Sequence, residues 1–446
     1  MSQRKGKKYK GERDQFQSKR GFRLAAIGSA VGMGNIWMFP YRVGEFGGGA
    51  FLIPYFIFII LIGLTGGIGE MAFGRAMGTG PIGAFKKAMQ KRGKKYGDLI
   101  GLIPTLGSLA IAIGYSVVVG WILRFTVGSL SGSMFSLANS EAYFGEIAGS
   151  FASLPWHLLG LAITFAIMLA GIKDGIEKVN KILLPLVFLL FLILAVRVFF
   201  IPGSSAGYEY LFKPDWTALK NPQTWVFALG QAFFSLSLAG SGTLVYGSYL
   251  SKKEDIIRSA IYITIFDTLA AILAALVIIP AVFAFESDPT AGPPLLFITM
   301  PGIFKQMPAG RIFSSLFFIA VLSAGFTSLV NLFESAIEAL EARFSFSRMK
   351  AVGTVASVAV LLGVFIENAA VLEKWMDVVS IYIIPLGALL AGIMFYWVAG
   401  SDFARDQVQM GREKKITSWF EPMSRYVFIG LTIIVYIMGI FYGGIG

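Results

Sequence analysis

Apolar residues run along this chain in long blocks separated by short polar links, most of them basic. The blocks lie near residues 22–43, 48–72, 99–130, 157–172, 182–201, 224–250, 257–285, 309–340, 350–366, 376–399 and 425–443. Their lengths suit an α-helix that crosses about 30 Å of hydrocarbon. The pattern predicts an all-α polytopic membrane protein with eleven transmembrane helices. Two blocks break the rule of their neighbours: "GSAVGMGNIWMFPYRVGEFGGGAF" in the first and "GQAFFSLSLAGSGTLVYGSY" in the sixth crowd glycine, serine and alanine into the centre of an apolar run.

Composition agrees with the blocks. With 56% hydrophobic and 14% charged residues and a mean hydropathy of +0.71, the apolar surface exceeds what a soluble core can hide. The absence of cysteine excludes disulfides, and no Asn-x-Ser/Thr sequon marks a glycosylated cell surface. A bacterial inner membrane is the expected location. Basic residues are rationed to alternate links, namely the N-terminal arm, "KKAMQKRGKK", "SKKEDIIR", "RFSFSRMK" and "DFARDQVQMGREKK". The positive-inside rule puts these and the N-terminus in the cytoplasm and, for an odd helix count, the C-terminus outside. That topology accounts for the net charge of +12 without nucleic acid. No cleavage site follows the first helix, which is expected to be retained.

Counting about 1.5 Å per residue from each helix start brings Ser29, Asn35, Tyr115, Ser235, Ser237, Asp267, Thr327 and Ser328 near the bilayer centre. Serine and threonine there often bond back to their own helix or glue two helices together. A carboxylate at mid-membrane is different, because it costs several kcal/mol unless paired or wet. No lysine or arginine shares the depth of Asp267, so a cation from solution is the expected partner. Interrupted helices at corresponding positions of two halves point to a transporter's binding site between inverted repeats. The competing reading is close packing, since Gly28 and Gly32 form a GxxxG pair. It gives no reason for the repetition in the sixth helix.

The segments "GMGNIWMFPY", "GGGAFLIPY", "FFSLSLAGSG" and "SAGFTSLV" resemble the neurotransmitter:sodium symporter family, in order and over nearly the whole chain; the eleven-helix layout is most similar to its bacterial members for hydrophobic amino acids. The resemblance implies a leucine-transporter-like fold, with a cytoplasmic arm at 1–21, five-helix repeats at 22–201 and 224–399, and an eleventh helix at 425–443. It implies alternating access with one substrate and two sodium ions. The first ion would take the carbonyl of Ala30, the side chains of Asn35, Ser235 and Asp267, and the substrate carboxylate. The second would take the carbonyls of Gly28, Val31 and Ala324 with the Thr327 and Ser328 hydroxyls. At Ser235 and Asp267 the family usually has Thr and Asn, so the first site here is more anionic.

The same resemblance sets the substrate's carboxylate near Gly34 and Tyr115 and its ammonium on carbonyls around Ser29, Ala30, Phe234 and Ser237. Its side chain would meet Met33, Ile111, Phe234, Gly240, Ser328 and Leu332. Gly32 stands where amine carriers of the family have an aspartate, which favours a zwitterionic amino acid. Gly240, replacing a bulky aromatic, argues for large hydrophobic substrates including tryptophan as well as branched aliphatic ones; a carrier of small neutral amino acids is the alternative, and an ion channel the rival class. Arg42 is the expected outer gate, toward Asp377, because Met38 stands at the usual arginine position. Arg13 and Phe16 resemble an inner latch, with Glu341 as acidic partner. Gly175 and Pro185 frame an expected hinge in the fifth helix. Ala271, with Tyr55, Gln231 and Ser235 nearby, lacks the serine of chloride-dependent members, so Asp267 is expected to supply the negative charge and no chloride requirement follows. Arg124 and Arg197 lie near helix ends and are expected to snorkel. His157 has no second His or Cys beside it for a metal, and with one mid-membrane acid the chain reads as no enzyme. Oligomeric state is left open.

Overall fold

Hydrocarbon offers no partner for free amides and carbonyls, so each apolar block satisfies its backbone internally. The protein is represented by a computed structural model that describes residues 16, 18–136, 139–149, 151–238, 241–290, 292 and 294–444. Among these residues the fold is helical, with no strand. The chain runs from α1 (Lys19–Ala30) through an interruption at Val31 and Gly32 into a π-helical turn, Gly34–Met38, and α2 (Phe39–Glu45). Next come α3 (Gly49–Met77), α4 (Gly97–Ser131), the shorter α5 (Leu154–Leu169) and α6 (Ile172–Phe199). A second interrupted pair, α7 (Pro222–Ser235) and α8 (Gly242–Ser248), leads to α9 (Ile256–Ala284), α10 (Gly310–Phe344), α11 (Arg348–Phe365), α12 (Ala369–Val398) and α13 (Phe420–Tyr442).

Among the described residues the apolar blocks take three forms. Eight are single helices long and apolar enough to span a bilayer, α5 is a 16-residue apolar helix, and two are the interrupted pairs. Burial sorts them into layers. The most apolar windows of α4 and α10 are 83% and 78% buried, whereas those of α11, α6 and α13 are 28% to 33% buried and turn most of their surface outward. The two central helices pack along each other. α1 lies against α6, α9 and α10, while α7 and α8 pack on the two halves of α3.

Close approach of α8 to α3 requires glycine, because a Cβ at Gly247 would sit 2.5 Å from the Met71 carbonyl oxygen. The layout leaves the interrupted centres of the first and sixth blocks facing each other inside the bundle. The site grows from that encounter.

Candidate functional site

α1 ends because Val31 adopts an extended backbone (φ −70°, ψ 92°), after which the chain re-enters helix through a wide turn at Gly34. α7 ends at Ser235, and two serines in left-handed conformation, Ser237 (φ 54°) and Ser241 (φ 52°), flank its break. Such conformations cost a residue with a Cβ on the order of 1 kcal/mol each. Breaks of this kind leave amides and carbonyls without helical partners. Side chains from the opposite break fill the gap: Ser237 Oγ donates to the Ser29 carbonyl at 2.6 Å, and Gln231 Nε2 donates to the Gly34 carbonyl at 2.9 Å.

Asn35, Ser235 and Asp267 come together as the sequence predicts. Asn35 Nδ2 lies 2.7 Å from Asp267 Oδ1 and 2.9 Å from Ser235 Oγ, Ser235 Oγ donates to Asp267 Oδ2 at 2.7 Å, and all three residues are buried. The Asn35 Oδ1 accepts the Gly32 amide at 3.1 Å, tying the polar cluster to the break. Among the described residues no cationic side chain pairs with Asp267; its donors are an amide and a hydroxyl. Ala271 is fully buried one turn along α9, and the Tyr55 hydroxyl and Gln231 Oε1 are buried without partners among the described residues.

Part of the second predicted group meets across α1 and α10. Thr327 Oγ1 donates to the Ala324 carbonyl at 3.0 Å, and a Cβ at Gly28 would touch Thr327 Cβ at 3.4 Å. A Cβ at Gly32 would lie 2.8 Å from both Cβ and Oγ of Ser328. Space at position 32 is therefore taken by the serine, and an aspartate there has no room. The oxygens gathered by these residues are carbonyls and hydroxyls, the donor type that hard cations bind.

Between the breaks lies a cavity of about 30 Å³, lined by Ser29, Ala30, Gly32, Gly34, Ile111, Tyr115, Phe234, Ser237, Ser328, Leu332 and Ile384. That is room for about two waters. An amino acid enters only if the walls move apart. No wall residue carries a charged side chain. Met33 is not among the wall residues; it is buried with its sulfur toward Gly325, and Ser235 belongs to the Asp267 cluster. Ile384 is a wall residue that the sequence reading did not find. Gly240 and Arg13 lie outside the described residues.

The expected gates differ from their geometry. Arg42 pairs with Glu45 at 2.7 Å and stacks over Phe227 at 4.2 Å; it makes no ion pair with Asp377 among the described residues, because an acid three positions along its own helix is nearer to hand. Glu341 lies 3.6 Å from Arg348, whose guanidinium makes a bidentate pair with Glu334 at 2.8 and 2.7 Å. The Tyr249 hydroxyl also donates to Glu334. Phe16 sits edge-on to Phe22, Tyr246 and Tyr249, a plug between α1 and α8. Nearby, Glu254 receives Arg23 at 2.7 Å and Ser259 at 2.9 Å, and the Arg75 guanidinium holds its backbone carbonyl. These clasps were missed, although Glu334, Glu338 and Glu341 recur at helical spacing on one face of α10.

His157, at the start of α5, is fully buried in the protein. Its Nδ1 lies 2.5 Å from Glu367 Oε1 and its Nε2 lies 2.7 Å from Ser116 Oγ, while Ser153 also bonds Glu367. Ser116 donates its proton to the Ile113 carbonyl at 2.7 Å, so the row is a buried clamp between α4 and α5 rather than an activated nucleophile. Arg124 and Arg197 rest over the rings of Tyr143 and Phe313. Among the described residues no group of three His, Cys, Asp or Glu is placed to hold a metal.

Comparison with known proteins gives the same picture. A sodium-dependent transporter of Bacillus subtilis, YhdH, described as uncharacterized, is 39% identical over 325 residues, covering 72% of this chain and 71% of that one. Another, MJ1319 of Methanocaldococcus jannaschii, is 31% identical over 451 residues, 96% of this chain and 90% of its own. The crystal structure of MhsT in complex with L-phenylalanine matches with a TM-score of 0.87 at 33% identity, over 96% of this chain and 99% of that one. The sequence pattern of the Sodium:neurotransmitter symporter family matches residues 13–146 and 145–442. The chain belongs to that family, whose members here are sodium-dependent transporters and not enzymes.

Proposed function

We propose that the protein is a Na⁺ symporter that carries hydrophobic L-amino acids across a bacterial inner membrane by alternating access. It does so with eleven spans, two inverted five-helix repeats, a cytoplasmic N-terminus and an outward C-terminus. The observation that carries this reading is the uncharged cavity between the two helix breaks. A ligand with a single net charge would be stranded there, whereas a zwitterion brings its own balance: carboxylate toward Gly34, Tyr115 and a sodium ion, ammonium toward the carbonyls of Ala30, Phe234 and Ser237. Apolar walls at Ile111, Phe234, Leu332 and Ile384 suit an apolar side chain, at roughly 25 cal/mol per Å² buried.

Two sodium sites follow from the two oxygen clusters. At the first, Asp267, Ser235, Asn35 and the Ala30 carbonyl share the ion with the substrate carboxylate, which couples the two cargoes. At the second, Gly28, Val31, Ala324, Thr327 and Ser328 join α1 to α10. Asp267 supplies the fixed negative charge, so chloride is not required. On the cytoplasmic side the wide turn of α6, Ile172–Glu177, is the hinge that opens, framed by Gly175 and Pro185. A second reading is a carrier of small neutral amino acids, in which Gly240 only sustains the break after α7.

Competition for Na⁺-driven uptake into proteoliposomes decides between them. Tryptophan, phenylalanine and leucine are expected to compete better than alanine, and Gly240→Phe to reject tryptophan while keeping leucine. Alanine as the better competitor would refute the large-substrate reading.

A further inference from the structure

We propose that the side-chain oxygen of Asn180 is a further sodium ligand, one that takes the ion at the second site and accompanies it toward the cytoplasmic end of α6. The proposal rests on the second-site reading given above.

Asn180 is 1% exposed, in the first turns of α6, where Lys178 and Lys181 flank it in sequence. Its amide nitrogen is committed, donating to the Ile176 carbonyl at 2.9 Å. Its Oδ1 is buried and accepts no hydrogen bond among the described residues. The atoms around that oxygen explain why. A Cβ at Gly28 would collide with it and would touch Thr327 Cβ on its other side. Thr327 has already given its proton to the Ala324 carbonyl, and Gly28 lies within α1, where amide protons serve the helix ladder. Among the described residues, neither of these neighbours has a free donor to offer the oxygen. Oxygens gathered in this way are satisfied by a cation.

The approach of α1 to α6 is built around such oxygens. Gly21 and Gly28 are seven residues apart and share one face of α1, and each makes room for a polar side chain of α6: Glu177 at Gly21 and Asn180 at Gly28. Glu177 and Asn180 are three apart and share a face in turn. A row of oxygens thus leads from Thr327 past Asn180 to Glu177, which lies against Ser18 and Lys181 at the start of α1 and α6. The tie from Asn180 to Ile176 gives this row a moving part, because Ile176 lies inside the wide turn Ile172–Glu177. When that turn opens, Asn180 loses its anchor and its oxygen is free to follow the ion.

The test is a sodium titration of the purified protein in detergent without substrate, with choline keeping the ionic strength constant, read as the rise in thermal unfolding temperature. Asn180→Leu removes the oxygen at similar volume and is expected to raise the half-saturating sodium concentration about tenfold, equivalent to about 1.4 kcal/mol. Asn180→Asp is expected to lower it by a similar factor, and it keeps the proposal testable should the leucine variant fail to fold. The double variant Thr327→Ala, Ser328→Ala marks which part of the response belongs to the second site. If that variant loses the response while both Asn180 variants titrate like wild type, the Asn180 assignment is wrong and the site stands. If the double variant itself titrates like wild type, the second-site reading falls and this proposal with it. A purely structural role, or a bridging water alone, predicts equal destabilisation of both Asn180 variants in sodium-free buffer with an unchanged sodium midpoint, and that result overturns the proposal.

Discussion

Asp267→Asn separates charge from shape at the first cluster. The carboxylate accepts Asn35 and Ser235 at 2.7 Å each and is completely buried. An asparagine of nearly the same outline can keep its oxygen toward Asn35 and donate its amide to Ser235, whose hydroxyl turns to accept. The hydrogen-bond cost is then on the order of 1 kcal/mol. The charge is lost outright. Two unit charges 4 Å apart interact by about 4 kcal/mol at an effective dielectric constant near 20, and part of that is returned because an uncharged side chain is cheaper to bury. A net loss of about 1.5 to 3 kcal/mol predicts a ten- to hundredfold rise in the sodium concentration that half-saturates uptake. Sodium-dependent uptake in proteoliposomes measures it, with the same assay run after complete replacement of chloride by gluconate. Wild type is expected to ignore the replacement. Chloride dependence of the wild type, or an unchanged sodium midpoint in Asp267→Asn, would refute the charge assignment.

Removing both hydroxyls at the second cluster with Thr327→Ala and Ser328→Ala should abolish sodium-driven uptake while the protein still purifies folded; an unchanged sodium dependence of uptake counts against the site. Pro185→Ala supplies the amide that the Lys181 carbonyl lacks and should slow uptake severalfold with equilibrium substrate binding unchanged, since it stiffens the hinge and touches no ligand. Gly175→Ala is a poorer probe of the hinge, because its methyl group would collide with the Ile167 carbonyl and disturb the fold. Phe16→Ala removes the plug against Phe22, Tyr246 and Tyr249 and should speed thiol labelling of a cysteine placed at Ser335, a buried residue of α10 next to Glu334, the acid that accepts Tyr249, in a chain with no cysteine of its own; an unaltered labelling rate would mean that the ring closes nothing.

Residues whose chemistry conflicts with their surroundings were legible in the sequence. Asp267 has no business at mid-membrane without a partner, and Asn35 and Ser235, at the same depth in the two interrupted runs, were found 232 and 32 positions from it and in contact. Partners chosen by reach were harder to read. Arg42 is long and flexible, so it takes Glu45 on its own helix over a more distant acid. Glu367 follows the end of an apolar run and looks like a loop acid, yet the fold brings it 210 positions across to His157. Glu334 lies near the end of its apolar block, yet α10 runs on to Phe344 and carries this acid inside.

The distribution of hydrogen bonds across the site indicates where the molecule parts. On one side, α1 and the turn after it are joined to α7 and α9 through Ser237, Gln231 and Asn35. On the other, α4 is joined to α10 by Ser108 to the Leu332 carbonyl at 2.9 Å, Thr126 to the Phe318 carbonyl at 3.3 Å, and Ser129 to Ser314 at 2.7 Å. Where the two sets meet, Gly32 lies against Ser328 and Gly28 against Thr327. Glycine against a hydroxyl-bearing side chain is a contact that separates without breaking a hydrogen bond, so this seam opens at lower cost than either set comes apart. A sodium ion bound to the carbonyls of Gly28 and Val31 and to the hydroxyls of Thr327 and Ser328 would span that seam. Its arrival would hold the two sets together and its departure would release them, which makes ion occupancy itself the latch that decides when the cavity can exchange its cargo.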